Sequence, residues 1–391
     1  MNDHKMQIPN NVTDLLMDDC VRKHAVENAV RGCFLSCGYR EVSPAGLEFY
    51  DTFAQGVGAH SQQEMVKTFD SQGRILVMRP EYTIPIARLA GSKLAQEALP
   101  LRLCYLGTAY ANPSLKSARK RAEFTQGGVE LMGLSGAQAD AEVVMLALDA
   151  MRAAGLEDYM IEIGQVDFFK GLMEEAGLDA VTTETVRGYV EEKNMLAIEL
   201  LLRGSGAAEA VISRIRELPM LFGGSEVFER AGKLTTCSRC IEALKNLRAV
   251  YDILCACGYG EHVSIDLGMV HAIGYYTGMI FRGISPFFGQ PLISGGRYDG
   301  LLAEFGRPLG AVGFAMGIEH VLEALDRQGA KPESAALDVL LVLGNSAMDK
   351  AWKKADELRS TGKSVELCYE SDPKSIRALA QARRAKQVME V

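Results

Sequence analysis

Lys67-Thr68-Phe69-Asp70, then Ser71-Gln72-Gly73, then Arg74-Ile75-Leu76-Val77-Met78 decide the class of fold. Two short runs of strand-forming residues flank a polar turn that contains a glycine, the pattern of a β-hairpin. A hairpin joins antiparallel neighbours, whereas a doubly wound parallel sheet needs a long crossover between strands. Working outward, residues 15–37 carry apolar positions near helical spacing and stop at Gly38. Tyr39-Arg40-Glu41-Val42 then reads as a strand leading to Pro44. Helices are expected around 84–97 and 136–153. Leu101 to Tyr110 and Phe124 to Met132 read as two longer strands joined by a polar, basic loop. Helices alternating with hairpins give an α+β chain with an antiparallel sheet flanked by helices.

From about 170 to 255 the character changes. Periodic helical segments dominate and β-branched runs are few, so this stretch is expected to be a helical insertion. Strand signals return at Val263–Leu267, Tyr275–Phe281 and Gln290–Ser294, followed by a helix from Gly317 to Leu325. Residues 326–337 are polar and contain Gly and Pro, and read as a linker. The tail, 338–391, reads strand, helix, strand, helix, a small α/β module.

The chain has 391 residues, 48% hydrophobic and 24% charged, which is ample for a core and for more than one domain. Its formal net charge of −8 provides no global field for nucleic acid. No apolar run approaches the roughly 20 residues needed to span a bilayer, so no membrane partner is expected. Nine cysteines without a secretory signal point to reduced thiols in the cytoplasm. Cys237-Ser-Arg-Cys240 and Cys255-Ala-Cys257 could together ligate zinc. The stretch between them, Ile241 to Leu254, reads as one amphipathic helix, which favours unpaired thiols, and no metal or cofactor is expected.

Several short segments together resemble a class II aminoacyl-tRNA synthetase core of the histidyl type. Gly38-Tyr39-Arg40-Glu41-Val42-Ser43-Pro44 resembles the first class II motif, which builds the dimer interface in that family. Val77-Met78-Arg79-Pro80-Glu81-Tyr82-Thr83 resembles an amino-acid-binding strand. Glu123-Phe124-Thr125-Gln126-Gly127-Gly128-Val129-Glu130 resembles the return strand of the second motif. Ile273-Gly274-Tyr275-Tyr276-Thr277 and Ser294-Gly295-Gly296-Arg297-Tyr298-Asp299-Gly300-Leu301 match two histidine-specific segments. Gly313-Phe314-Ala315-Met316-Gly317-Ile318-Glu319 matches the third motif. The resemblance implies a synthetase-like core over 1–325, carrying the insertion at about 170–255. It implies a linker at 326–337 and a truncated anticodon-binding-like module at 338–391.

A free amino acid offers an ammonium, a carboxylate and a side chain, so its site needs carboxylates, amide oxygens and polar rings. By resemblance, Glu81, Thr83, Gln126 and Glu130 hold the amino acid, and Tyr276 and Tyr298 surround an imidazole. Acidic and phenolic groups suit an imidazole, which donates from both nitrogens when protonated. Activating an amino acid with ATP needs arginines to clamp the phosphates. At the family positions for three of these stand Ala111, His271 and His320, and Pro113 replaces an expected glutamate. Losing one such charge typically costs about 100- to 1000-fold in rate. The basic loop from Lys116 to Arg121 is either a solvated loop or a substitute clamp, and Arg121 is its best-placed member.

A chain with an amino-acid site but no ATP clamp resembles the regulatory subunits of ATP phosphoribosyltransferase. That resemblance implies a short-form catalytic subunit as partner, self-association through the class II interface, histidine as feedback effector, and no tRNA. The rival readings are a working histidyl-tRNA synthetase and an ATP-dependent amino-acid ligase acting on another acceptor. A module whose pocket stays empty is the third.

Overall fold

The computed structural model describes residues 6–54, 62–112, 121–270, 274–330, 336–344 and 348–391. Its contacts form two compact units. One comprises Met1–Asp14 and Lys23–Ala330, the other Leu15–Arg22 and Lys331–Val391.

The strands of the first unit are β1 (Arg40–Glu41), β2 (Leu47–Phe49), β3 (Val66–Phe69), β4 (Ile75–Met78), β5 (Leu101–Tyr110) and β6 (Glu123–Met132). After them come β7 (Met160–Gln165), β8 (Phe222–Gly223), β9 (Val263–Asp266), β10 (Met279–Ser285), β11 (Phe288–Arg297) and β12 (Ala311–Gly317). The second unit contributes β13 (Val339–Val342), β14 (Val365–Cys368) and β15 (Gln387–Glu390).

The expected hairpin is β3–β4, antiparallel with Phe69 opposite Ile75. Asp70 closes its turn: the carbonyl accepts from Gly73 N at 3.0 Å and the carboxylate from Arg74 N at 2.9 Å. With β2 these strands make a small sheet ordered β2-β4-β3. The main sheet has nine strands ordered β1-β5-β6-β12-β11-β10-β7-β9-β8. Its body, from β5 to β7, is antiparallel as expected. Two pairings depart from that expectation: β1 runs parallel to β5, and β9 runs parallel to β7. The long helical excursion between β7 and β9 is what permits β9 to return in the same direction.

Each face of this sheet carries a core. On one face, helices Asp18–Ser36, Ala137–Ala153 and Ser238–Ala256 bury Val30, Phe34, Val144, Leu148, Leu247 and Val250 among others. Phe34 meets Phe314 of β12 edge to face at 5.8 Å. On the other face, helix Thr83–Gly91 packs with Tyr82, Tyr105, Tyr275, Tyr276 and Tyr298.

The insertion is helical as read: Val166–Glu175, Ala180–Glu191, Met195–Gly204, Glu209–Glu217 and Glu226–Gly232 precede Ser238–Ala256. Asp179 and Asn194 start two of these helices by accepting backbone N–H bonds with their side chains. The reading missed a 3-10 turn at Leu218–Met220 and the two-residue β8. Cys240 is buried in the first turn of Ser238–Ala256, its thiol pushed up to about 12 by burial. Cys255 sits fifteen residues further along the same helix, about 22 Å away at 1.5 Å per residue. That span does not let the two clusters share one ion.

The polar tract expected as a linker from 326 starts later. Helix Ile318–Gln328 continues through its first three residues and stops at Gly329, whose φ of 83° favours glycine. In the second unit β14-β13-β15 form a parallel sheet with helices Met348–Ser360 and Pro373–Ala382. β15 was not anticipated. Among the described residues no helix is long and apolar enough to cross a membrane.

Candidate functional site

The floor of the site is a patch of sheet where glycines let neighbouring side chains lie against the backbone. On β6, residues 126, 128 and 130 share one face because side chains alternate along a strand. Register places Gly317, Ala315 and Gly313 of β12 beside Gln126, Gly128 and Glu130, and Gly296 of β11 beside Gly313. A methyl group at Gly313 would collide with the Glu130 carboxylate and the Val129 carbonyl. At Gly296 it would meet the Tyr276 ring at 2.9 Å, and at Gly128 the Tyr105 hydroxyl at 2.5 Å. Glycine inside a strand weakens it, and here three neighbouring strands accept that cost in one place.

Glu130 is the centre. It is 1% exposed. The Thr83 hydroxyl donates to one carboxylate oxygen at 2.8 Å and the Tyr298 hydroxyl donates to the other. Burial pushes the Glu130 carboxyl up to about 8; the bonds from Tyr298 and Thr83 pull against this, and nearby Glu81 adds to it. Glu81 lies at the start of helix Thr83–Gly91, where its carboxylate accepts from Thr83 N at 2.6 Å and Ile84 N at 2.8 Å. The N-terminal end of a helix suits such an anion.

Tyrosines form the walls. Tyr275 packs edge to face on Tyr276 at 4.9 Å and on Tyr298 at 5.7 Å. Burial raises all three phenols well above their ordinary value, and the Glu130 charge adds to the rise. The strand expected at Tyr275–Phe281 begins only at Met279. The preceding residues instead turn against the end of β11, where Thr277 N donates to the Arg297 carbonyl at 2.8 Å and Asp299 N donates to the Thr277 hydroxyl at 3.0 Å. Arg297 is anchored by buried Asp140 at 2.7 Å and by Asp299 at 2.9 Å. This clamp fixes the neighbouring Tyr298.

The six residues singled out from the sequence, Glu81, Thr83, Gln126, Glu130, Tyr276 and Tyr298, therefore converge on one region. One was missed. Tyr105 of β5 lies opposite Gly128, stacked on Tyr82 at 4.4 Å. Its hydroxyl and Gln126 Oε1 are buried without a hydrogen-bond partner among the described residues. The available signal was the glycine pair 127–128, which leaves room for whatever side chain faces it. A buried polar atom without a partner is costly, so such atoms point to a ligand that completes them.

Arg79, two residues before Glu81, does not pair with it in the bonds described. Its guanidinium donates to the carbonyls of Pro44 (2.6 Å) and Thr108 (2.9 Å) and lies over the Tyr82 ring at 4.2 Å. Further along the sheet, Ala111 is buried and donates its N–H to the Ala122 carbonyl. His320 Nδ1 is 3.3 Å from the Pro291 carbonyl, and the ring lies 4.9 Å from that of Phe288. Glu319 accepts from Thr125 N at 2.8 Å and pairs with Lys23 at 3.4 Å. Arg121 is exposed at the approach to β6. His271, Pro113 and residues 116–120 lie outside the described residues.

A histidyl-tRNA synthetase family profile matches residues 11–321. The ATP phosphoribosyltransferase regulatory subunit of Acetivibrio thermocellus is 43% identical over 367 residues, covering 94% of this chain and 88% of that protein. That of Clostridium kluyveri is 39% identical over 389 residues, 99% of each. A solved structure from Bacillus halodurans, described as an ATP phosphoribosyltransferase regulatory subunit/histidyl-tRNA synthetase, superposes with a TM-score of 0.88 at 31% identity, covering 98% of both chains. The histidyl-tRNA synthetase of Nostoc sp. PCC 7120 shares the fold, with a TM-score of 0.84 at 16% identity over 97% of this chain and 90% of that one. With its sheet, its glycine floor and its near full-length relatives in agreement, the chain belongs to the ATP phosphoribosyltransferase regulatory subunit family, on the histidyl-tRNA synthetase fold.

Proposed function

We propose that the chain is a non-catalytic regulatory subunit that activates a short-form ATP phosphoribosyltransferase catalytic subunit and carries histidine feedback to it. The observation behind this reading is Glu130: a buried carboxyl, ringed by tyrosines, with an unpartnered hydroxyl on nearby Tyr105 and an unpartnered amide oxygen on Gln126 along the same strand face. In this reading Glu81, Thr83 and Gln126 take the amino-acid end of histidine. Glu130, Tyr276 and Tyr298 take the imidazole. A carboxyl at about 8 and an imidazole near 6.5 have affinities for one shared proton that differ little, so the pair forms without a large protonation cost.

The proposal includes the absence of ATP chemistry. Ala111 and His320 stand where the synthetases carry arginines, and neither residue offers a permanent cation. It also includes self-association through the segment Gly38–Pro44, a cytoplasmic location fitting nine unpaired thiols, and no use of tRNA, given the acidic net charge.

The test is phosphoribosyltransferase activity of the short catalytic subunit with and without this chain, across a histidine titration. Stimulation by the chain and inhibition by histidine are expected. No effect, together with histidine-dependent pyrophosphate exchange by this chain alone, would overturn the reading in favour of a ligase.

A further inference from the structure

Asp266–Val270 form a seam between the candidate pocket and the helical insertion. Met269 is buried in the cluster that contains Tyr105, Tyr275, Tyr276 and Tyr298. Its neighbours in the seam, Leu267 and Val270, are buried in the opposite cluster with Leu218 and Leu221 of the insertion. One short backbone is thus tied to both cores. Displacing Met269 on the tyrosine side has to move Val270 on the other, because packed interiors transmit strain instead of absorbing it.

The insertion grips this seam at several points. Leu267 N donates to the Leu221 carbonyl at 3.0 Å. Arg187, on helix Ala180–Glu191, donates to the Val270 carbonyl at 3.1 Å, its guanidinium steadied by Glu184 at 2.6 Å and Glu191 at 3.0 Å. Lys193, just past that helix, lies 3.9 Å from the Asp266 carboxylate and 4.4 Å from the Phe222 ring centre. At Gly268 a Cβ would meet the Leu218 carbonyl oxygen at 3.1 Å, so the 3-10 turn rests directly on seam backbone. From the sheet side, Arg282 of β10 donates to Asp266 at 3.2 Å.

We infer that the helical insertion reports occupancy of the tyrosine-lined pocket, with Arg187 as the positioning residue that links helix Ala180–Glu191 to the Asp266–Val270 seam. The inference rests on the assignment of an amino-acid site to that pocket. A ligand shifts such an element only through different affinities for its two positions, and the coupling is reciprocal. Loosening the Arg187 grip therefore changes ligand affinity by the same factor that the ligand changes the grip.

The experiment is hydrogen exchange on the full chain with and without saturating L-histidine, read over residues 184–193 and 216–222, beside calorimetric titration of the same samples. Histidine is expected to slow exchange there by about five-fold or more, the lower end of typical couplings. Arg187→Met is expected to bind histidine more weakly and to lose the slowing, and Arg187→Lys to recover part of it. Since Lys keeps the cation, that variant serves even where Met disturbs folding. Wild-type binding with unchanged exchange in the insertion, or a slowing that survives Arg187→Met, overturns the inference and leaves the pocket assignment standing. No calorimetric binding by the wild type removes the pocket assignment and the inference together.

Discussion

Two carboxyls, one in each unit, are driven in opposite directions. Glu130 is shut into the tyrosine-lined face of the large sheet and pushed up to about 8, burial being the main cause. Asp338 is half-buried beside β13, accepts from Ser364 N at 2.9 Å and the Ser364 hydroxyl at 3.0 Å, and pairs with Lys386 at 2.9 Å. Those donors pull it down to about 2. Asp338, Ser364 and Lys386 precede β13, β14 and β15 closely, so one carboxylate fastens the starts of three strands. Glu130 receives two hydroxyl bonds in the contacts described and no cation. Donors and a cation aimed at a carboxylate hold the second unit together, whereas burial outweighs two hydroxyl donors at Glu130 and leaves a carboxyl whose charge a cationic ligand would complete.

The comparison breaks first at Glu130→Ala. Truncating a buried, hydrogen-bonded charge partner typically costs about 2–5 kcal/mol of binding, so histidine affinity should fall by at least about 30-fold in calorimetry. An unchanged affinity would place the histidine site elsewhere.

The second effect is on pH. Near neutrality the free partners hold one proton between them, on the carboxyl; the imidazolium–carboxylate pair holds the same one proton. Affinity should be flat between about 6.5 and 8, the imidazole and carboxyl values. It should fall toward ten-fold per unit above that window, where binding must take up a proton, and fall again below it, where one must be released. A monotonic profile across the window would contradict the pairing. The same carboxyl favours the fold below its ordinary 4.5 and withdraws that support as pH rises through about 8. Glu130→Gln should therefore melt higher than wild type at alkaline pH without ligand, the gap closing in acid.

A smaller effect is expected at Tyr105→Phe. Removing a buried hydroxyl without a described partner should leave the melting temperature equal or higher, while histidine binding weakens about 2- to 10-fold if the ligand completes that group. Equal binding would remove Tyr105 from the site. Smallest is Asp338→Asn. Its carboxylate supports the fold above the ordinary value of 3.8 and loses that support as pH falls through about 2. The variant should show slightly faster hydrogen exchange in β13–β15 at neutral pH, the difference shrinking as pH falls below 3.8 and vanishing below about 2.

Much of this architecture was legible because turns punctuate it. β3, β4, β5 and β6 fall within a residue of where their apolar runs and flanking polar turns put them. The meeting of Glu81, Glu130 and Tyr298 was legible only through a family pattern, since nothing in local periodicity brings them together from three separate segments. What escaped had no local signature. Gln387-Val-Met-Glu390 is too short and too polar to alternate, and it becomes a strand only because β13 offers an edge. Tyr275 to Gly278 has strand composition yet bends, because the end of β11 supplies better hydrogen bonds. Tyr105 is one aromatic among many until register sets it over Gly128.

The glycine floor has a thermal consequence. Gly128, Gly296 and Gly313 let Tyr105, Tyr276 and Glu130 lie directly against sheet backbone, and an amino acid bound among those side chains would make contacts that only the folded chain offers. Any ligand that binds the folded chain alone raises its stability by RT ln(1 + [L]/Kd), about 2.7 kcal/mol at one hundred times Kd. The melting temperature of this chain would then read out free histidine, rising and falling with the metabolite, so a plain thermal melt becomes an assay for the effector.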